Sequence, residues 1–447
     1  MAARSAQSID IGTLIDSRPL SGLQIRTIVL CALVVMLDGF DIQTMALAVP
    51  SLTAEWNMPR EQFGLALSAS LIGLGCGSAF IAPLGDRVGR RPMVLVLLSL
   101  VGLASIATGF SSSPTHFVFW RLITGLGLGA SITNAIALTS EYMPAARQSF
   151  LTTLMFSNIA VGALVAGFIA PELIAWGGWQ AVFWAGGALP LILVVMLFFG
   201  LQESVRFLLE QRPQDARIRT IVRALAADSS GVSVIADPAT RTRRQSIREL
   251  LTPEFRLRSL VLWTIFALNM FVMYSLISWL PALLRDEGWT TAQALRGGVL
   301  TQLGSVVGGL AMTFLVDRGL AARTLLVSYS LAAMALVGFM VFDSTLLAWC
   351  TLIVLVGIGI NGSQLVLFAF AAAFYPPAIK ATGVGWAIAI SRIGAVGGPI
   401  VLTSVIAMGL GTASVLGTLI IPTLLCVACV FALPRVLRDA GIGHRNR

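Results

Sequence analysis

Gly85-Asp86-Arg87-Val88-Gly89-Arg90-Arg91-Pro92 separates two long apolar stretches of the chain. The run carries one carboxylate and three guanidinium groups, and its two glycines allow a tight turn. Such a turn can form an ion-pair latch to neighbouring helix ends, which breaks and re-forms when the helices move. The simpler interpretation is that the turn is an ordinary cytoplasmic loop, whose basic residues only set the orientation in the membrane. The order of its Asp, Gly and Arg residues favours the latch, so we predict Asp86, Arg87 and Arg90 as gating residues.

The composition around this turn is that of an integral membrane protein. The chain has 447 residues, of which 57% are hydrophobic and 11% are charged, whereas soluble domains carry about 25% charged residues. Thirty basic residues give a formal net charge of +9, and Lys380 is the only lysine among them. Most lie in predicted loops on one side of the membrane. We therefore interpret them as topology signals, and expect no nucleic-acid partner.

Apolar stretches of about 20 residues predict an all-α membrane protein with twelve transmembrane helices. We place these spans, numbered 1 to 12, near 27–50, 61–84, 93–110, 115–139, 151–174, 180–201, 259–284, 296–316, 324–342, 345–373, 378–407 and 411–433. With both termini in the cytoplasm, 25 basic residues lie inside, three outside and two in the membrane. This asymmetry predicts that orientation. No cleavage site follows the polar N-terminus, so span 1 is expected to be retained.

The spans divide into two six-helix halves. We predict a cytoplasmic N-terminal segment at 1–26, halves at 27–201 and 259–433, a solvated cytoplasmic linker at 202–258 with a short surface helix near 240–250, and a cytoplasmic tail at 434–447. Val316-Asp317-Arg318 after span 8 repeats the turn after span 2 in degenerate form, which makes Asp317 another gating candidate. Two pseudo-symmetric halves imply a substrate site between them near the membrane midplane.

Four charged side chains fall inside the predicted hydrocarbon core: Asp38, Asp41, Arg121 and Arg392. Charges there are costly and usually functional. Asp38 and Asp41 share one helix face, and two carboxylates so close suit proton handling. At 1.5 Å per residue, Asp38 lies ~17 Å from the inner face, near the midplane. We expect the two acids and two arginines to neutralise one another.

Arg392 in span 11 carries a guanidinium group suited to bidentate binding of a carboxylate. An arginine bonded to backbone carbonyls is the alternative. Span 10 adds Asn361 and Gln364, and span 7 adds Asn269 and Tyr274. Span aromatics pack more often than they bind ligands, but for a flat aromatic acid Asn361 or Gln364 could bind a ring hydroxyl.

Glu141 and Arg147 follow the glycine-rich part of span 4, at the predicted cytoplasmic surface. We interpret them as gating ion-pair partners, with ordinary loop charges as the alternative.

The turn at 85–92 resembles the signature loop of the major facilitator superfamily, and so does the span-4 run Arg121-Leu122-Ile123-Thr124-Gly125. Leu37-Asp38-Gly39-Phe40-Asp41 is similar to the Asp-Gly-x-Asp signature of its aromatic acid:proton symporter branch. The sequence departs from the pattern at Ala82, where glycine is usual, and the loop 317–323 lacks a histidine that some members carry. A coupling role for histidine therefore does not carry over.

The resemblance implies the major facilitator fold and proton-coupled import of a hydroxybenzoate- or benzoate-type anion across a bacterial inner membrane. It implies proton coupling by Asp38, Asp41 and Arg121, substrate binding by Arg392 or Arg121, and gating by Asp86 and Glu141. No cofactor or metal is expected beyond the proton gradient. The expected partners are the small aromatic acid anion, protons and the lipid bilayer, and the protein is expected to be a monomer.

Other functions remain as alternatives. Uptake of an aliphatic dicarboxylate is one, and proton-coupled drug or metabolite export is another, although span 5 lacks the Gly-Pro motif usual in exporters. Sugar uptake is disfavoured because Leu433-Pro434-Arg435 does not match the Pro-Glu-Thr that usually ends span 12 in sugar transporters. An enzyme is disfavoured because no nucleophile–base pair or metal-ligand spacing occurs. A sensor would be expected to carry a soluble signalling domain, and we find none.

Overall fold

The computed structural model describes residues 8–57, 63–144, 147–225, 233–235, 247–253, 255–318, 320–342, 345–375 and 380–438. Nearly all of these residues are helical. Helices satisfy their backbone hydrogen bonds internally, which a segment in lipid must do. The predicted all-α class is confirmed.

Each predicted span corresponds to helix. The bounds are Gly22–Trp56 for span 1; Phe63–Cys76, Gly77–Ile81, Ala82–Leu84 and Gly85–Val88 for span 2; Arg90–Gly109 for span 3; Pro114–Tyr142 for span 4; Gln148–Gly200 for spans 5 and 6; Arg256–Asp286 for span 7; Thr291–Asp317 for span 8; Ala321–Val341 for span 9; Leu346–Val356, Gly357–Gly362 and Ser363–Phe374 for span 10; Lys380–Ile406 for span 11; and Thr412–Thr418 and Ile420–Arg438 for span 12. The segments Gly77–Ile81 and Gly357–Gly362 are π-helical.

In the described residues, nine helices are long and apolar enough to cross a membrane. One of these, Leu154–Gly200, has 47 residues, about 70 Å of helix, enough for two crossings. It turns back at Gly177 and Gly178, whose backbone angles are not helical, and Gly178 has φ of 69°. Counting that helix as two spans gives ten. Spans 1 and 8 are not among the nine helices, but they pack against the same bundle. The chain therefore has twelve spans, as predicted.

The helix starts follow from capping side chains in the sequence. Ser21 and Gln24 form a reciprocal capping box at the start of span 1. Thr290 and Gln293 form the same arrangement at the start of span 8. Each box satisfies two backbone N–H groups that a helix start leaves unbonded. These starts extend spans 1 and 8 beyond the apolar residues that predicted them, because polar first turns can lie outside the hydrocarbon.

Glycines set the closest helix crossings in both halves. A side chain at Gly39 in span 1 would clash with the Ile159 carbonyl of span 5, and one at Gly162 would clash with the Met36 carbonyl. In the second half, a side chain at Gly394 in span 11 would clash with the Ala267 carbonyl of span 7. Spans 1 and 5 occupy the places in the first half that spans 7 and 11 occupy in the second. The pseudo-symmetry of the halves thus includes their tightest crossings.

Where we predicted a solvated linker, part of the described linker packs against the first half. Its helix Ala216–Leu225 buries Ile218, Ile221, Val222 and Leu225, which lie on one face by helical spacing. These side chains join the apolar core of the first half. Strand β1 (Ser8–Asp10) pairs in parallel with strand β2 (Ser233–Ile235). Two more short helices flank the bundle, Ile11–Asp16 and Val205–Gln211. A surface helix was expected near 240–250. Ile247–Leu250 is helical, and 240–246 lie outside the described residues.

Candidate functional site: a cavity between the two halves

Asp41 and Arg121 form a closed ion pair inside the first half. Arg121 Nη1 lies 2.6 Å from Asp41 Oδ1, and Arg121 Nη2 lies 2.7 Å from Asp41 Oδ2. The Ser70 hydroxyl donates a third bond to Asp41 Oδ2, at 3.3 Å. Arg121 is fully buried, and Asp41 is 8% exposed. A bidentate bond of this kind fixes both side chains, so neither group is free to bind another molecule in this arrangement.

An aromatic cluster closes the first half at the end opposite Arg90. The rings of Trp56, Phe117, Trp179 and Phe183 pack edge to face, with centroids 5.4 to 5.9 Å apart. The Arg121 guanidinium lies over the Phe183 ring, 5.5 Å from its centroid. The arginine is therefore shielded from this side by apolar rings, which strengthens its attraction to Asp41.

Asp38 and Arg392 form a second, open arrangement across the two halves. Asp38, on span 1, is 3% exposed, and its Oδ1 atom has no hydrogen-bond partner among the described residues. Arg392, on span 11, is half-buried. It interacts electrostatically with the Asp38 carboxylate and with the Tyr274 hydroxyl. Within the described part of the chain, no direct ion pair joins Asp38 to Arg392. The Arg392 guanidinium can therefore receive a further anion.

Asp38, Arg392 and Tyr274 line a cavity of about 310 Å³ between the halves. Spans 1 and 5 contribute one wall, and spans 7, 8, 10 and 11 contribute the other. The lining is mostly apolar, with methionine, isoleucine and phenylalanine side chains around a few polar groups. Apolar cavities of about 150 Å³ already hold a benzene molecule, and ligand sites start at about 300 Å³. The cavity is large enough for a small aromatic acid.

Span 10 brings two amide side chains to this cavity. Asn361 lies in the π-helical segment Gly357–Gly362, and Gln364 follows three residues later. A side chain at Gly357 would clash with the Thr301 carbonyl of span 8, so the two spans are in backbone contact here. π-Helical segments frequently occur at functional sites. The local distortion places two polar residues in an otherwise apolar wall.

Phe156 of span 5 and Phe368 of span 10 stack across the halves, with ring centroids 4.9 Å apart and planes at 17°. Both rings line the cavity, on the side toward the end of the bundle that carries Arg90. On a neighbouring face, the Ser68 hydroxyl of span 2 donates to the Val396 carbonyl of span 11, at 3.1 Å. These contacts join the two halves, and must change when the halves move relative to each other.

The gating candidates near Arg90 meet in a cluster inside the first half. Arg90 pairs with Glu141 and lies 3.5 Å from Asp86. The Ser204 hydroxyl donates to Glu141, and Glu203 Oε1 accepts the backbone N–H groups of Arg90 and Ser204, at 3.0 and 2.9 Å. These contacts hold spans 3 and 4 and the start of the linker together.

Two further gating candidates, Arg87 and Arg147, lie outside this cluster in the described part of the chain. Arg87 and Arg147 are exposed, and Glu141 pairs with Arg90 where Arg147 was expected. Asp317 is the last residue of span 8, and its side chain lies outside the described residues. Arg87 lies in the short helix Gly85–Val88 that ends span 2, and Arg147 directly precedes the helix Gln148–Gly200, so both are at the same end of the bundle.

Sequence reasoning missed several residues that the structure places at these sites. Glu203 is 4% exposed, and the turn at Gly89 (φ 111°) approaches it so closely that a side chain there would lie 2.5 Å from Glu203 Oε2. The Tyr142 hydroxyl donates to the Glu203 carbonyl, at 2.6 Å. Ser70 was missed because a serine in an apolar span is common. The signal for Glu203 was a carboxylate directly after span 6, facing a basic turn.

Comparison with known proteins agrees with this geometry. The sequence profile described as the Major Facilitator Superfamily matches residues 31–399. The chain is 35% identical to the 4-hydroxybenzoate transporter PcaK of Pseudomonas aeruginosa, covering 98% of each chain. It is 34% identical to a gallate transporter of Pseudomonas putida, covering 90% of each. It is also 34% identical to the 3-(3-hydroxy-phenyl)propionate transporter of Escherichia coli, covering 87% of this chain and 89% of that one.

A solved structure shows the same fold. The xylose transporter XylE from E. coli, in a partially occluded inward open conformation, aligns with a TM-score of 0.71 at 17% identity, covering 93% of this chain and 98% of that one. At this identity the likeness concerns the fold alone. The family and its curated relatives are transporters and not enzymes. This chain, a multi-pass membrane protein with twelve spans, belongs to the Major Facilitator Superfamily.

Proposed function

We propose that this protein imports an aromatic carboxylic acid of the hydroxybenzoate or benzoate class, together with protons, across a bacterial inner membrane with both termini in the cytoplasm. The observation that carries the proposal is the cavity between the halves. Arg392 is the only cation among its described lining residues, and the walls are largely apolar and include the Phe156 and Phe368 rings. A monoanion with a flat apolar ring matches that arrangement.

Arg392 is the better candidate for the substrate carboxylate, because it lines the cavity and makes no direct ion pair within the described residues. Arg121 is fully buried, and both its terminal nitrogens bond Asp41. In this proposal Asp38 couples substrate to proton. When ionised, it competes with the substrate carboxylate for Arg392; when protonated, it leaves the guanidinium free for the substrate. Release of both ligands to the cytoplasm follows when the halves rock.

The two alternative functions, uptake of an aliphatic dicarboxylate and export of drugs or metabolites, fit the cavity less well. An aliphatic dicarboxylate would place its second carboxylate against apolar walls or near Asp38, with no second cation among the described lining residues. Export of drugs or metabolites has no supporting observation in the cavity. The names of the curated relatives at 34–35% identity point to aromatic acids.

Uptake of radiolabelled acids in a transport-deficient bacterial host tests the proposal. Benzoate, 3- and 4-hydroxybenzoate, protocatechuate and gentisate would be supplied with and without a protonophore. Two unlabelled competitors separate the parts of the ligand: benzamide keeps the ring without the charge, and cyclohexanecarboxylate keeps the charge without the aromatic ring. We expect protonophore-sensitive accumulation that benzamide does not inhibit and cyclohexanecarboxylate inhibits weakly. Accumulation of none of the five acids would overturn the proposal.

A further inference from the structure

Two buried amide side chains line the cavity, and a third bonds one of them. We call these three residues the amide cluster, and the transport cycle described above does not use them. Asn269 of span 7 is fully buried, and its Nδ2 group donates to Gln364 Oε1 at 2.7 Å. Gln364 is 7% exposed, and Asn361 is 4% exposed. Gln364 and Asn361 both line the cavity.

The polar atoms of this cluster are only partly hydrogen-bonded. Among the described residues, Gln364 Nε2, Asn361 Oδ1 and Asn269 Oδ1 are buried without a hydrogen-bond partner. Burying such atoms costs free energy unless another group bonds them. Two of the three atoms belong to residues that line the cavity, so a molecule bound there can supply what they lack. One of those two is a donor, and the other is an acceptor.

This pairing selects the chemistry of the group that binds. A hydroxyl both donates and accepts, so it has a group for a donor such as Gln364 Nε2 and a group for an acceptor such as Asn361 Oδ1. A hydrogen or a methyl group on the ring can bond neither. A second carboxylate only accepts, and would leave its charge facing the Asn361 oxygen.

We propose that Asn361 and Gln364 form a subsite for a ring hydroxyl of the substrate, and that Asn269 positions Gln364 by holding its carbonyl oxygen away from the cavity. The inference rests on the proposed function and narrows its substrate class to hydroxylated aromatic acids. Arg392 holds the carboxylate, and the amide cluster distinguishes a hydroxylated ring from an unsubstituted one. Asn269 contacts Gln364 and acts through it.

The experiment compares uptake of 4-hydroxybenzoate, 3-hydroxybenzoate and benzoate by the full-length protein in cells. In Gln364→Leu and Asn269→Leu we expect the KM for the preferred hydroxybenzoate to rise by roughly tenfold, as for loss of a buried hydrogen bond. The KM for benzoate should stay within about twofold, because benzoate does not use the cluster. Gln302→Leu is the matched control, since Gln302 is a buried amide that lines the same cavity on span 8. It should leave the ratio of the two KM values unchanged.

Asn269→Asp is the conservative variant that separates a positioning role from loss of packing. Position 269 is fully buried, and burial disfavours the charged form of an aspartic acid there. The neutral acid has an O–H group that can donate to Gln364 Oε1, as Asn269 Nδ2 does. We expect Asn269→Asp to keep the KM for the preferred hydroxybenzoate within about twofold of that of the unaltered protein, while Asn269→Leu raises it.

The outcomes separate this inference from the proposed function. An unchanged KM ratio in Gln364→Leu, or equal losses for all acids with normal amounts of protein in the membrane, would overturn the subsite while leaving aromatic acid import intact. Transport of benzoate without any hydroxybenzoate by the unaltered protein would do the same. If the unaltered protein transports no aromatic acid, the proposed function fails first. A changed ratio in Gln302→Leu with none in Gln364→Leu would place the subsite on span 8 and overturn the assignment.

Discussion

The two carboxylate–arginine arrangements use the same residue types but differ in where the partners lie. Asp41 and Arg121 are both in the first half, bonded twice and buried. Asp38, one helical turn away, faces Arg392 of the second half across the cavity, without a direct ion pair in the described residues. Rocking of two rigid halves preserves distances within a half and changes distances between halves. The first pair is therefore a fixed unit, and the second is sensitive to conformation and to ligands.

The largest effect is expected from breaking the fixed pair. Arg121→Gln leaves Asp41 buried without its cation, which costs about 3–5 kcal/mol for such pairs. Thermal unfolding of purified protein should show a strongly lowered midpoint, and uptake should be lost with it.

The double variant Asp41→Asn/Arg121→Gln is the control for that prediction. It removes both charges and should recover a large part of the lost stability, since two neutral amides can bond each other. If the double variant is as unstable as the sum of the single ones, the two residues are not acting as a pair.

The open arrangement should respond in the opposite way to loss of its arginine. Arg392→Gln removes a charged donor that faces the cavity, so stability should stay close to that of the unaltered protein. Hydrogen bonds to charged groups contribute about 1.5–3 kcal/mol, so uptake at low substrate concentration should fall roughly ten- to a hundredfold. Arg392→Lys keeps the charge without the planar fork and should lie in between. A loss of stability like that of Arg121→Gln would mean that Arg392 is structural.

Replacing Asp38, the carboxylate that faces Arg392, with asparagine should separate substrate binding from proton coupling. Asn at position 38 stays neutral and cannot compete for Arg392, so Asp38→Asn should still exchange labelled for unlabelled substrate across the membrane. Accumulation against a gradient should disappear. A monoanion carried with one proton moves no net charge, so the driving force is the pH difference, and one pH unit corresponds to roughly tenfold accumulation. Counterflow in proteoliposomes measures the first property, and uptake in energised cells measures the second. Loss of both, with protein present, would contradict a coupling role for Asp38.

The fold follows from the sequence because its signals are local. Each apolar run of about 20 residues, each capping residue and the turn after span 2 act without knowledge of the other spans. The distortion of span 10 at Gly357–Gly362 is different, because it depends on close contact with the Thr301 carbonyl of span 8. The packed face of Ala216–Leu225 was visible as helical spacing of apolar residues, but its arginines outweighed that signal in our interpretation.

The site could be predicted in its charges but not in its pairings. A charge in an apolar span is conspicuous, so all four core charges were identified from the sequence. Which aspartate meets which arginine depends on helix rotation and on the half to which each belongs, and neither is written in the spacing. Neutral amides give a weaker signal. Asn269 was visible in span 7, yet only its bond to Gln364 distinguishes it from a packing residue.

The smallest effect on stability and uptake should come from changing the Arg90 cluster. Like Asp41 and Arg121, its residues lie within one half of the protein. Its described contacts join spans 3 and 4 and the start of the linker, so rocking should not break them. Glu141→Gln should cost stability by about 1 kcal/mol, because the side chain is only partly buried and Arg90 keeps the Ala137 carbonyl at 2.9 Å. The KM for substrate should not change. A latch that opens in each cycle would instead shift the balance of conformations and change KM.

Asp215→Asn provides the matched control for Glu141→Gln. Asp215 pairs with Arg217 at 2.7 Å on the linker, outside the spans. Its bonds to Arg217 lower the pKa of the Asp215 carboxyl to about 2. Because the folded-state pKa is lowered, any stability from this pair is present above the ordinary pKa of aspartate and lost only as pH falls toward 2. Between pH 5 and 8 the pair is fully ionised, and its exposure to water and salt screens it.

Asp215→Asn should therefore leave unfolding and uptake unchanged across that range, while Glu141→Gln lowers the unfolding midpoint. Equal effects of the two substitutions would show that the contacts of Glu141 with Arg90 and Ser204 add nothing to stability beyond those of the linker pair.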